Sequence, residues 1–211
     1  LQSSLPSEAP DSQLNPIFAA MINIAVFASG EGSNAENLFR FFSTSTKVKI
    51  KLVVTNNENA GIVEKAERYK KNLQIISKTS LNNYTDQFID FLQTEKVDLI
   101  VLAGFLLKVP EKLVKAFPGR IVNIHPALLP KFGGKGMYGM HVHKAVLEAG
   151  EKESGITVHF VDEEYDNGDI ILQERCEITP DDTPESLAVK VHQLEYEYFP
   201  KAVQRVVDTI S

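Results

Sequence analysis

The apolar run at residues 97–103, interrupted only by Asp98, constrains this chain more than any other stretch. A short apolar run of this kind marks a strand buried on both faces. Both faces can be covered only if helices pack on each side of the sheet. The neighbouring sequence supplies those helices. Residues 22–28 are a short apolar run ending in Ser29-Gly30-Glu31-Gly32-Ser33-Asn34, after which Leu38, Phe39 and Phe42 share one helical face. Residues 48–55 read as a second strand ended by Asn56 and Asn57, residues 60–70 as a helix, and residues 73–77 as a short strand. Tyr84, Phe88, Phe91 and Leu92 fall at i, i+4, i+7 and i+8, a helical stripe. Residues 121–124 form a further strand. The alternation of strand and helix predicts an α/β fold: a mostly parallel twisted sheet with helices on both faces.

The second half changes character. Residues 131–139 hold four glycines and read as a mobile loop. Residues 142–149 read as a helix ended by Gly150. Residues 156–161 and 170–178 are strands of mixed polarity joined by an acidic loop at 162–169. Thr183-Pro184-Glu185 is a helix start, with Thr as N-cap, Pro at the first position and Glu in the first turn. That helix continues through Leu187, Val191, Leu194 and Tyr198, and Pro200 is expected to kink it. Residues 1–20 are rich in Ser and Pro, lack periodicity and carry no basic start of a signal peptide. They are expected to lie outside the fold, as a disordered leader or an added extension, with one domain over residues 21–211.

Composition narrows the function classes. The 211 residues carry a net charge of −6, which argues against binding a nucleic-acid backbone over a broad surface. No apolar run approaches the ~20 residues of a membrane helix. The single cysteine, Cys176, excludes an internal disulfide. A cytoplasmic enzyme is the expectation.

Three constellations carry chemistry. In the turn at 30–35 the glycines let backbone amides approach a ligand, and the helix start that follows favours an anion. Gly30, Gly32 and Ala35 also match a loose dinucleotide fingerprint, but no acid stands at the tip of the second strand to hold a ribose. Ser33 and Asn34 therefore point to a single phosphate monoester, with helix capping as the plain alternative. Asn123 and His125 lie two residues apart in a strand, so their side chains share one side. Pro126 stops the strand there, which puts the pair at a sheet tip, where open α/β sheets bind ligands. An amide and an imidazole so placed can grip one developing oxyanion; closing the strand is the structural alternative. Asp166 lies in the acidic loop, either as a solvated turn or as a carboxylate folded over the strand tips. Near His125 it is expected to raise the imidazole pKa and to take a proton. His141 and His143 form an H-x-H pair with no third ligand in view, so no metal is expected. His159 is expected to share the polar face of its strand near the site, and His192 with Glu195 reads as a solvated pair.

Taken in order, residues 24–34, 101–105, 123–130, 155–161 and 165–171 resemble the phosphoribosylglycinamide formyltransferase family over about residues 21–205. The resemblance implies a formyltransferase fold with a Rossmann-like N-terminal half (21–120) and a folate-binding, catalytic half (121–211) on the same sheet. It implies Asn123, His125 and Asp166 as the catalytic triplet. Gly32, Ser33, Asn34, Ile124 and Glu195 would hold the phosphate and ribose of glycinamide ribonucleotide. Leu106, Leu107, Lys108 and Val109 would line the pterin pocket, with Asp162, Glu163, Glu164 and Tyr165 as its loop wall. The co-substrate would be 10-formyltetrahydrofolate, with no metal and small molecules as the partners. The family often carries an arginine where Leu81 aligns, and Lys78 and Lys108 are the substitutes at hand.

Other readings are a methionyl-tRNA formyltransferase, which adds a nucleic-acid-binding domain, and a formyltetrahydrofolate hydrolase, which usually has a second histidine where Pro126 stands. From another class, a nucleotide-binding module without chemistry would bind ligand with no dependence on His125. A dehydrogenase would bind NAD(P).

Overall fold

The computed structural model describes residues 21–210, and the leader expected at residues 1–20 lies outside the described residues. In chain order the elements are β1 (Ile22–Phe27), α1 (Ser33–Phe41), β2 (Val48–Thr55), α2 (Gly61–Arg68), β3 (Asn72–Ile75), α3 (Lys78–Asn83), α4 (Thr85–Thr94), β4 (Leu99–Leu102), α5 (Glu111–Ala116), β5 (Ile121–His125), α6 (Met140–Glu148), β6 (Glu153–Phe160), β7 (Ile170–Glu177) and α7 (Pro184–Ile210). The strands form one sheet in the order β3-β2-β1-β4-β5-β6-β7. The pairs from β3 through β5 are parallel, whereas β6 is antiparallel to β5 and β7 to β6.

Both faces of the sheet are buried, as the run at 97–103 requires. Ile24, Val26, Leu99 and Val101 pack on one side with residues of α1, α2, α6 and α7. Ala25, Phe27, Ile100 and Leu102 pack on the other with residues of α3, α4 and α5. A register shift between Ile24 and Ala25 leaves Lys51 unpaired on β2. The extra residue flips the alternation, so Val53 joins the same face as Val48 and Ile50.

Two helices were not legible. Helices α3 and α5 have six residues each, too short for an apolar stripe to repeat. Ser77 starts α3 by accepting from the Ser80 N–H at 3.0 Å. Pro200 sits inside α7, which runs on to Ile210. A proline frees the carbonyl four residues back. That carbonyl, on Tyr196, accepts from Asn37 Nδ2 of α1 at 2.7 Å. The lost helix bond thus becomes a stitch between α1 and α7, beside the cavity they share.

Strand β1 stands between β2 and β4, so successive connections leave it in opposite directions. A crevice opens at such a switch point, outside the carboxyl ends of the parallel strands.

Candidate active site

A cavity of about 810 Å³ occupies that crevice. Its walls come from the turn after β1, the segment after β4, the end of β5, the glycine-rich segment before α6, the loop before β7, and one side of α7.

The start of α1 forms part of the wall. Gly32 occupies the N-cap with φ of 71° and offers no side-chain cap. A Cβ there would meet Ile62 Cδ1 at 2.6 Å, so glycine is required both for the backbone angle and for the space. Ser33 and Asn34 follow it on the cavity wall and do not serve as the cap. Asn34 Nδ2 donates to Glu195 Oε2 at 2.9 Å, and His192 Nδ1 lies 3.0 Å from the same oxygen. His192 and Glu195, read from sequence as a solvated pair, therefore belong to the cavity wall. Ile124 lines the cavity while its side chain is buried in the core.

Asn123, His125 and Asp166 line the same cavity. The backbone after His125 is fixed by Thr157, its register partner on β6. Thr157 Oγ1 donates to the Ala127 carbonyl at 2.7 Å and accepts from the Leu129 N–H at 3.0 Å. Replacing Thr157 with Val orphans that buried N–H, and we expect a loss of about 1–3 kcal/mol in urea-monitored stability. An unchanged unfolding midpoint would show that the hydroxyl does not hold this segment.

Asp166 arrives from a loop folded on itself. Asp162 accepts from the Glu164 N–H at 2.8 Å and from Asn167 Nδ2 at 3.1 Å. Gly168 passes so close to β6 that a Cβ would lie 2.0 Å from the Phe160 carbonyl. Asp166 itself has φ of 53°, a left-handed angle that Asp tolerates better than most residues. Its Oδ2 accepts from the Gly134 N–H at 2.8 Å and lies 3.6 Å from His125 Nδ1. Its Oδ1 lies 3.4 Å from Asn123 Nδ2 and 3.6 Å from His159 Nε2.

Carbonyl oxygens only accept, and this fixes the tautomers. His125 Nε2 is 2.7 Å from the Phe132 carbonyl, so Nε2 carries the proton and Nδ1 is bare in the neutral ring. His159 Nδ1 donates to the Phe160 carbonyl at 2.8 Å, so its Nε2 accepts from Asn123 Nδ2 at 3.1 Å. Both amide protons of Asn123 face acceptors, which assigns its nitrogen to that side. The 3.4 Å contact with Asp166 is the weaker of the two and the one a ligand oxygen can displace.

One expectation is reversed. Burial is the largest influence on His125 and lowers its pKa; Asp166 and the Phe132 carbonyl pull upward without overcoming it. The free site therefore favours neutral His125 rather than imidazolium. For Asp166, burial pushes upward, but the His159 contact, the His125 ring and the Gly134 N–H outweigh it and keep the carboxyl below its usual range. The site thus pairs an ionised carboxylate with a neutral imidazole whose open nitrogen faces it.

Leu106, Leu107, Lys108 and Val109 also line the wall, as do Asp162, Glu164 and Tyr165. Lys108 Nζ lies 5.3 Å from the centre of the Tyr165 ring. Glu163 is not on the wall; its carboxylate turns to Lys115 at 3.4 Å. Leu81 is buried in the core with α4 and α5 residues, so a charged side chain there would need a partner inside the protein. Lys78 does not line the cavity, whereas Lys108 does. The segment read as a mobile loop is anchored at the Phe132 carbonyl and the Gly134 N–H.

Sequence reasoning placed His159 only near the site and gave His143 no role in it. His159 belongs to it because β6 pairs Asn123 directly with His159, a register that local alternation does not specify. His143 also lines the cavity; its i+2 spacing from His141, without a third ligand, had pointed to no role.

Comparison with known proteins places this geometry in context. The family model described as formyl transferase matches residues 22–203. The chloroplastic phosphoribosylglycinamide formyltransferase of Arabidopsis thaliana is 42% identical over 190 residues, covering 88% of this chain. The chain spans only 65% of that relative's length. The Haemophilus influenzae phosphoribosylglycinamide formyltransferase is 36% identical over 188 residues, covering 87% of this chain and 86% of the relative. The crystal structure of the enzyme of that name from Anaplasma phagocytophilum superposes with a TM-score of 0.81 at 34% identity, covering 89% of this chain and 87% of the other.

Proposed function

The chain belongs to the formyl transferase family, and within it to the phosphoribosylglycinamide formyltransferases; from that premise we propose that it transfers the formyl group of 10-formyltetrahydrofolate to the amine of glycinamide ribonucleotide, a step of purine biosynthesis. The observation that carries the reading is Asp166 within 3.6 Å of Asn123, His125 and His159, in a cavity whose wall also holds the α1 start and the segment at 106–109. The α1 start with Asn34 and Glu195 suits a phosphate and a ribose. The segment at 106–109, facing Tyr165, suits a flat heterocycle. No helix among the described residues is long and apolar enough to cross a membrane. The free thiol of Cys176 suits a reducing compartment such as the cytoplasm.

The amine nitrogen attacks the formyl carbon, forming one C–N bond and moving an electron pair onto the formyl oxygen. Asn123 rotates an N–H from Asp166 to that oxyanion. Asp166, held ionised, accepts the proton that the attacking amine must shed. Asp166 passes that proton to the bare Nδ1 of His125, 3.6 Å away, which restores the carboxylate and sets an imidazolium beside the developing oxyanion. The intermediate collapses, the bond to the folate nitrogen breaks, and His125 gives the same proton to that nitrogen, which returns both His125 and Asp166 to their starting states. Holding the two substrates side by side lowers the barrier further.

The test mixes the protein with glycinamide ribonucleotide and a 10-formyl folate and follows the folate absorbance. Consumption of the formyl folate should require the ribonucleotide. Equal consumption without it would make the protein a hydrolase. In a second measurement, Ser33→Ala and Asn34→Ala should weaken ribonucleotide binding about tenfold with little change for the folate. Equal losses for both ligands would remove the phosphate role of the α1 start.

A further inference from the structure

His143, in α6, is a buried titratable side chain that the mechanism above does not use. It is 5% exposed, yet its ring forms part of the cavity wall. Its Nδ1 is buried with no hydrogen-bond partner. Its Nε2 is not among the buried unpartnered atoms, and no hydrogen bond or ion pair joins it to the described residues. Buried polar groups in folded proteins are nearly always satisfied, so an open imidazole on a cavity wall is a group prepared for something the cavity receives.

The proton position follows from the burial. A neutral ring carries one N–H. On Nδ1 it would be an orphaned buried donor, the rarest kind of unsatisfied group. On Nε2 it is directed to the accessible side. Protonating both nitrogens would bury a charge with one donor unmet, and burial lowers the pKa of this ring accordingly; Glu195 pulls the other way and His125 adds to the lowering. The ring is therefore a neutral donor, fixed by the helix that carries it.

We propose that His143 is a further ribonucleotide-binding residue, whose Nε2–H donates to an acceptor oxygen of the substrate between the ribose and the amine-bearing arm. Its charged and titratable neighbours fix that place. Glu195, tied to Asn34 and His192, stands at the ribose end, and His125 stands at the reacting centre. A neutral donor suits this position, because a cation would compete with Asn34 for the Glu195 carboxylate. The assignment rests on the substrate reading given above.

The experiment is titration calorimetry of the full chain with glycinamide ribonucleotide and, separately, with a folate analogue. A glutamine amide reaches the position of Nε2 and an asparagine amide that of Nδ1, so His143→Gln and His143→Asn separate the two nitrogens. We expect His143→Asn to weaken the ribonucleotide about tenfold, with folate affinity and melting temperature nearly unchanged, and His143→Gln to recover most of the loss. Wild-type affinity in His143→Asn overturns the assignment. So does equal loss in both variants, or a loss shared by the folate and the melting temperature, which would mark a packing role. If the wild-type chain binds folate but no ribonucleotide, the substrate reading itself fails and the assignment falls with it.

Discussion

Asp166→Asn should lower turnover by about 10²–10⁴-fold while both ligands still bind, the range expected when a general base is lost. At 1.36 kcal/mol per decade this corresponds to roughly 3–5 kcal/mol of transition-state stabilisation. The substitution is nearly isosteric, and it keeps an acceptor oxygen for the Gly134 N–H. It removes the charge that faces His125, His159 and the Asn123 amide within 3.6 Å. A second readout separates this from a folding defect. Asp166 is the strongest influence raising the His125 pKa, so its neutralisation should move the His125 titration further down, as followed by NMR of the labelled ring. Wild-type turnover in the variant, or a His125 titration that rises, would remove Asp166 from the chemistry.

His125→Asn is expected to reduce turnover by a similar ~10²–10⁴-fold, because no remaining group at that position can gain a proton as the oxyanion forms. Its pH behaviour carries a definite sign. The folded pKa of His125 is depressed, so the unfolded chain binds a proton more readily than the folded one. The ring's contribution to stability is therefore present above the unfolded histidine value and is lost as pH falls through the depressed folded value. Urea midpoints measured across that acid window should fall more steeply for wild type than for His125→Asn. His143 shares the direction of shift and contributes equally to both proteins. Parallel curves would mean that His125 titrates as an exposed histidine and that burial does not govern it.

Much of the fold was legible in the chain, for local reasons. The doubly buried β4, the strand β2 and the start of α7 depend on patterns within a few residues. Thr183 caps α7 as its sequence implies: its Oγ1 accepts from the Ser186 N–H at 3.2 Å, and Ser186 Oγ accepts from the Thr183 N–H at 3.0 Å. The short α3 and α5 escaped because two turns leave no period to detect. The candidate site was legible in part. Asn123 and His125 declared a shared direction by their spacing, and Gly32 declared a tight turn before a helix. Glu163 could not be distinguished from Asp162 or Glu164, because consecutive loop residues face different sides according to bonds made elsewhere.

By itself the sequence determined the kind of elements, their order and the residue types capable of the chemistry, since propensity, capping and periodicity act over three or four positions. Only the tertiary structure decided that His159 stands opposite Asn123 and that Pro200 frees a carbonyl for Asn37. It also decided that His125 is held neutral rather than charged. Those outcomes turn on strand register, on contacts more than a hundred residues apart, and on the balance between desolvation and a neighbouring carboxylate. That balance exists only once the chain has closed around the group.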